Sequence, residues 1–454
     1  MQLARLFGIA VAVLLSLLST SRAFAADDDA GAPAQGAPAS AAPASAAPAS
    51  GEGTPPPPDR DAADAGPATP ASPAPPPPPS SSAEPPKAES NINVRASSEV
   101  GGYIDSTATS VLTPSIGINV ESPTAGWGVS GRYLVDIVSA ASPDIVSTAS
   151  PHWTEIRNAG NLGVRYKPGT FGIAVNASTS YTSDYLALSA GAQLTQDLDD
   201  KNLTLIGGYG YGHDTIGRSR TPFSVFSHTL DYHSIQAGLS RVVNTSLVIG
   251  VYGDVVLENG DQSKPYRYIP IFTPAVAASI PVGASPTLVA NSRIQSKPLE
   301  QLPLDRERYA LTGRLAWRGD NGTTLRFEER GYADTWGLKA STTDARYFID
   351  LSQRWTIWPH ARFNIQNSVS FWKRAYSANG LNDLPALRTG DRELSSLFTA
   401  GGGGGVRIAL GKAGAVDELV LTTTIDAFYT SFADAIYVKE RLSALAATAL
   451  EIGF

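Results

Sequence analysis

The sequence predicts an all-β fold: an antiparallel transmembrane β-barrel of about 16 strands, with bounds of about 14–18. Three observations carry this. Long segments alternate apolar and polar residues, the connections alternate between short and long, and the chain ends on Leu450, Ile452 and Phe454, which share one face of a final strand. The barrel is expected over residues 92–454, behind a signal peptide at 1–25 and a disordered Ala/Pro/Ser-rich linker at 26–91.

The first element is the export signal. Arg5 precedes an apolar run from Phe7 to Leu18, and Ala23-Phe24-Ala25 offers small residues for cleavage before Asp27-Asp28-Asp29. A spanning helix needs roughly 20 apolar residues, so the run is read as a cleaved signal, with a retained anchor as the alternative. The linker repeats Ala-Pro-Ala-Ser at Ala37, Ala42 and Ala47 and carries prolines from Pro75 to Pro79. Such a composition has too little apolar surface to offset its ordering entropy, so it is read as an extended tether.

Composition removes several classes of function. No later stretch is long and apolar enough for a membrane helix, so further membrane contact must use strands. The absence of cysteine excludes disulfides, a lipid-modified cysteine and c-type haem attachment. A net charge of −7, without any dense Lys/Arg block, argues against nucleic acid.

Period two is clearest between Arg306 and Trp372. Tyr309, Leu311, Leu315 and Trp317 alternate with Arg308, Thr312, Arg314 and Arg318. Leu325 and Phe327 oppose Arg326, Glu328 and Arg330; Tyr347, Ile349, Leu351, Trp355 and Ile357 oppose Arg346, Asp350, Arg354 and Thr356. Phe363, Ile365, Val369 and Phe371 likewise oppose Arg362, Asn364, Gln366 and Ser368. Segments of this length exceed the mode of about 5–6 residues in soluble sheets and suit a tilted crossing of about 9–11. Trp127, Trp317, Trp336, Trp355, Trp358 and Trp372 lie toward segment ends, as interfacial girdles require.

Short links are expected at Lys167-Pro168-Gly169-Thr170, Val243-Asn244-Thr245-Ser246, Gly319-Asp320-Asn321-Gly322 and Trp358-Pro359. Long ones are expected near 140–151, 214–227, 259–303 and 377–393. Outer-membrane barrels pair short periplasmic turns with long external loops, so both ends of the barrel segment are expected on the periplasmic side. The stretch 259–303 is apolar enough to fold inward and narrow a channel.

No catalytic or metal-binding constellation emerges, and a non-enzymatic protein is expected. The histidines (152, 213, 228, 233 and 360) lack ligand spacing, and His228 and His233 fall on opposite strand faces. Gly207–Gly212 and Gly401–Gly405 read as strands that bend or pack closely. Arg306, Arg308, Arg314, Arg318, Arg326, Arg330, Arg346, Arg354 and Arg362 form an expected lumen wall. Guanidinium forks suit anionic solutes. Glu328 and Asp350 answer only some of these arginines, and the alternative is a charge ladder satisfied by loop carboxylates such as Asp305 and Glu307, filling a closed barrel.

Asp136-Ile137-Val138-Ser139-Ala140-Ala141-Ser142-Pro143 recurs as Asp144 to Pro151. Asp-x-x-Ser-small-Ala-Ser resembles the acceptor sequence on which flavin transferases attach FMN through a phosphoester. The resemblance implies Ser142 as acceptor, with Asp136 and Ser139 completing the motif and Ser150 as a second acceptor. Ala140 stands where the motif has Gly. The other reading is a small-residue loop entry after strand three, on the external side and away from a periplasmic transferase.

Several stretches in order resemble an uncharacterised bacterial family filed as domain of unknown function 3570 (DUF3570). They are Tyr103-Ile104-Asp105-Ser106, Asp136 to Pro143, Ser183-Asp184-Tyr185, Pro265-Tyr266-Arg267, Pro303 to Arg308, and Tyr332 to Gly337. The resemblance covers about residues 91–454 and implies an outer-membrane location, with lipid and the barrel assembly machinery as partners. A small lipoprotein and a flavin transferase are further implied partners, with covalent FMN as the implied cofactor. The expected function is a channel or the membrane component of an extracytoplasmic redox system; the alternative is a plugged structural or adhesive barrel.

Overall fold

The computed structural model describes residues 92–140, 142, 153–218, 220–414 and 416–454. The expected signal peptide, the linker to Asn91 and Ser150 lie outside the described residues. The strands are β1 (Asn93–Asp105), β2 (Thr109–Ser122), β3 (Trp127–Ala140), β4 (Trp153–Tyr166), β5 (Phe171–Thr182), β6 (Tyr185–Leu198), β7 (Leu203–Ile216), β8 (His228–Asn244) and β9 (Leu247–Gly260), then β10 (Ile271–Phe272), β11 (Asp305–Arg318), β12 (Thr323–Asp334), β13 (Lys339–Asp350), β14 (Trp355–Gln366), β15 (Tyr376–Ser377), β16 (Leu397–Ala413), β17 (Val416–Phe432) and β18 (Glu440–Gly453). All but β10 and β15 join one closed antiparallel ring of 16 strands, matching the expected number. β1 closes on β18 from Arg95↔Gly453 to Asp105↔Ser443. Closure gives every strand two neighbours, so no row of peptide groups is left unpaired in hydrocarbon.

Alternation decides which face meets lipid. Ile104, Leu162, Leu311, Ile425 and Leu442 are the outward partners of their registers and are exposed. The adjacent Tyr103, Thr312, Asp426 and Arg441 point inward. Trp127, Trp317 and Trp355 stand on the outer face at the short-turn ends, where an aromatic girdle belongs. The other three expected girdle tryptophans do not. Trp358 points into the barrel opposite Gly405, Trp336 is buried in a loop cluster, and Trp372 binds the Asp434 carbonyl in a loop.

The expected turn at Trp358-Pro359 is a correction. β14 runs straight through it, and the chain reverses at Leu351–Arg354 instead. The β13–β14 ladder simply skips Trp358 and Pro359, where proline has no N–H to give. A proline on a strand therefore imitated a turn signal. β14 also stops at Gln366, so Val369 and Phe371 belong to a loop cluster with Trp336.

One end of the barrel has connections of two to four residues; the other carries loops of up to 44 residues, at 261–304, and 30 residues, at 367–396. The short-turn end is thus periplasmic, and β1 begins and β18 ends there. The two long loops fold into a cap. β10 pairs in parallel with β15, tying one loop to the other. Helix α1 (Pro274–Ala277) and helix α2 (Pro286–Ser292) complete it; α2 starts where Ser285 Oγ accepts from Leu288 N at 3.2 Å ahead of Pro286. Phe272, Ile280 and Val289 pack with Ile436 of the last external loop, and Ile269 and Ile271 pack with Tyr376. This burial is the apolar character that predicted inward folding.

Candidate functional site in the lumen and its cap

The arginine wall is present, and eight of its nine members lie on β11–β14 with inward register. Arg354 is the exception: it sits in the periplasmic turn after β13, because the strand ends four residues earlier, at Asp350. Glu328 and Asp350 answer part of the wall as expected, but the loop carboxylates named as the alternative do not. Asp305 and Glu307 lie on β11 itself with outward register, opposite Asn259 and Leu257. Arg314 pairs with Glu328 and Arg318 with Asp350, while the partners the sequence did not point to are Asp334 for Arg306 and Glu258 for Arg308. Arg346 and Arg362 share Asp344, at 3.4 and 3.7 Å. Arg326 lies over Phe348, 5.0 Å from the ring centroid. Arg330 stands opposite Thr312 and Thr342. The wall is largely a paired charge ladder across neighbouring strands.

Solvent access along that ladder is steeply graded. The Arg306 side chain is 7% exposed and Arg308 8%, on the cap side of β11. Arg314 is 44% exposed and Arg318 57%, toward the periplasmic end of the same strand. Arg407 and Glu418 repeat the wet pattern across the barrel. Inner-face arginines are therefore dry under the cap and exposed toward the short-turn end.

The cap has an ionic centre. Arg267 Nη1 donates to Glu300 at 3.1 Å and lies 3.2 Å from Asp391. Glu300 is fully buried and also accepts from Thr389 Oγ1 at 2.7 Å and Lys264 N at 3.0 Å. Burial would raise the Asp391 carboxyl, but the Arg267 guanidinium, joined by the Glu393 backbone N–H and Lys264, holds it below its ordinary value. Burial raises Glu393 above its ordinary value, only partly countered by Arg441 and Arg392. Burial, helped by Arg267, also lowers Lys264. The Tyr376 hydroxyl, which donates to the Phe371 carbonyl at 3.0 Å, is pushed up to about 12 by burial.

The cap is pinned to inward strand positions around the rim. Arg441 Nη1 donates to Glu393 at 2.8 Å, and Gln366 Nε2 donates to the Glu393 and Ser395 carbonyls. His228 approaches Asp261 at 3.2 Å on the other side. Leu302 and Val369, one from each loop, pack on Tyr332 and Trp336. The stretches that carry the family resemblance gather here: Tyr103 and Asp105, Asp184 beside Tyr266, Arg267, and Arg306 with Asp334 and Trp336.

Ser142 has no exposed surface, and its Oγ has no hydrogen-bond partner among the described residues. Asp136 is engaged elsewhere, accepting from Arg157 Nε at 2.7 Å and Thr113 Oγ1 at 2.6 Å. Ser139 and Asp136 occupy opposite faces of β3, so the acceptor-motif residues do not converge on one point.

One lumen cluster carries no sequence signal. His360 Nε2 faces Asp344 at 2.8 Å and Nδ1 faces Asp426 at 2.6 Å, an arrangement that suits an imidazolium with two N–H donors. To reach Asp426 on β17 it passes over Gly403 of β16. A Cβ at Gly403 would fall 1.9 Å from the Ile425 carbonyl oxygen, so only glycine fits this close approach. The glycine run predicted close packing, but nothing in the local sequence announces a contact between residues 66 positions apart.

A closed ring of 16 strands, greasy outside and charged inside, defines an outer-membrane β-barrel protein. Residues 31–420 match the family described as Protein of unknown function (DUF3570), and the chain belongs to that family. No curated protein matches the sequence. Among solved structures it is similar to a bacterial polysaccharide outer membrane secretin, at 9% identity and TM-score 0.42, covering 80% of this chain and 98% of that one. It is also similar to CdiB from Acinetobacter baumannii, at 10% identity and TM-score 0.42, covering 81% of this chain and 61% of that one. The CymD monoaromatic hydrocarbon channel is a third, at 7% identity and TM-score 0.39, covering 80% and 88%.

Proposed function

We propose that the protein is a gated outer-membrane channel whose lumen stands open to the periplasm and is shut on the external side by its own folded loops. The observation that carries this reading is the exposure gradient along β11, from Arg306 and Arg308 under the cap to Arg314 and Arg318 below it. Barrels of 16–18 strands leave room for an aqueous passage, so the cap rather than the ring limits passage. The excess of arginine on β11–β14 favours small anions once the cap moves.

The chain has no cysteine, which permits a direct test. In protein inserted with one orientation, a charged maleimide added from the periplasmic side labels Arg318→Cys and spares Arg308→Cys. Equal labelling of both, in barrels that keep heat-modifiable migration, rules the reading out.

A flavin-linked role is a second proposal, supported by the Ser142 motif and by a buried serine hydroxyl with no partner among the described residues. Attachment there requires a transferase to act before the loops close. Intact mass of protein from a host with its transferases decides it: an FMN increment lost in Ser142→Ala supports the role, and an unmodified mass removes it.

A further inference from the structure

We propose that the cap holds a binding cleft for a small ring-bearing carboxylate, formed by Tyr268, Tyr437 and the segment from Arg293 to Lys297. The cleft has a volume of about 420 Å³, within the range of small-molecule sites. Its walls combine two tyrosines and two prolines with two cations, and no carboxylate lines it. Arg267, Arg374 and Arg392 of the cap loops each have an acidic partner. Arg293 and Lys297 have none among the described residues. Arg293 Nη1 donates only to the Ile294 and Ser296 carbonyls, at 3.2 and 3.4 Å, and a guanidinium carries five N–H donors. The Lys297 ammonium lies 5.7 Å from the Tyr268 ring centroid. Two uncompensated cations thus flank an aromatic wall: the rings and prolines offer flat faces for a planar ligand, and the cations offer charge for its acid group.

The cleft is also joined to the packing that keeps the cap folded. Val289 lines it and belongs to the cluster with Phe272 and Ile436; Ile269 lines it and belongs to the cluster with Ile271 and Tyr376. An occupant therefore touches both apolar layers of the cap. Its binding does not depend on whether the barrel conducts.

The test is calorimetric titration of the full chain in detergent with 4-hydroxyphenylacetate. Its alcohol analogue, 4-hydroxyphenylethanol, serves as the uncharged ring, and acetate as the charge without a ring. Saturable binding with Kd on the order of 0.1 mM is expected, at least about 10-fold tighter than either control. Lys297→Glu, a change at an exposed position, should weaken binding by about 10-fold or more, and Tyr268→Leu by about 5-fold. Added salt should weaken binding to the unaltered chain, which tests the charge without a variant. Equal affinity for the alcohol, an unchanged Kd in Lys297→Glu, or no saturation by about 10 mM with a folded barrel overturns the assignment.

Discussion

Arg308 and Arg318 lie ten residues apart on one strand and both face inward, Arg308 pairing with Glu258 on the adjacent β9 and Arg318 with Asp350 two strands away on β13. Under the cap, the Arg308–Glu258 pair has lost its water; near the periplasm, Arg318–Asp350 keeps much of it. The same chemistry therefore does two jobs. A dry pair must stay intact because either charge alone would be stranded, whereas a wet pair contributes little to folding and leaves its charges accessible to water. The boundary between the two is set by loops that are remote in sequence from both arginines.

The largest effect that would test this contrast is removal of the cap. Replacing residues 265–300 and 370–393, the bulk of the two cap loops, with short Gly/Ser links should turn a silent barrel into one with a steady current in planar bilayers. Continued silence from a heat-modifiable barrel would falsify the idea that the cap is the closure. Next in size, Arg308→Ala should destabilise the protein by about 3 kcal/mol, because buried Glu258 loses its ion-pair partner and keeps only the weaker help of Arg306 and Gln262. Urea unfolding in lipid vesicles reads this directly, and a loss under about 1 kcal/mol would show that the upper lumen is wetter than its exposure implies.

Proton linkage gives a smaller effect with opposite signs at two neighbouring loop carboxylates. Asp391 is held below its ordinary 3.8, so its contribution is complete above that value and fades as pH falls through the lower, folded one. Glu393 is raised above its ordinary 4.5, so its contribution is complete below that value and fades as pH rises through the higher one. Hydrogen-exchange protection of residues 261–304 should fall on the acid side in the unaltered chain and less so in Asp391→Asn. Glu393→Gln should remove a loss on the other side, and identical profiles for all three chains would contradict both assignments. The smallest effect belongs to Arg318→Ala, expected to cost under about 1 kcal/mol, since its exposed pair is screened. A cost near that of Arg308→Ala would erase the difference between the two halves of the lumen.

Much of the barrel was legible because strand periodicity and turn chemistry are local. Tyr309, Leu311 and Trp317 declared the outer face of β11, and Lys167-Pro168-Gly169-Thr170 and Gly319-Asp320-Asn321-Gly322 form turns where expected. Two of the misreadings share one cause. Pro359 and Arg354 each matched a local rule, but the register between β13 and β14 decided that one lies in a strand and the other in a turn.

The candidate site was less legible. Nine arginines were visible, but their partners Glu258 and Asp334, the buried Glu300 and the His360 contact over Gly403 were not. Alternating hydrophobicity by itself determined that this chain forms long lipid-facing strands with a charged reverse side, since side-chain direction along a strand follows from the backbone repeat. Only the tertiary structure decided which charges are dry, because desolvation depends on what distant loops lay over them, and no neighbour in sequence records that.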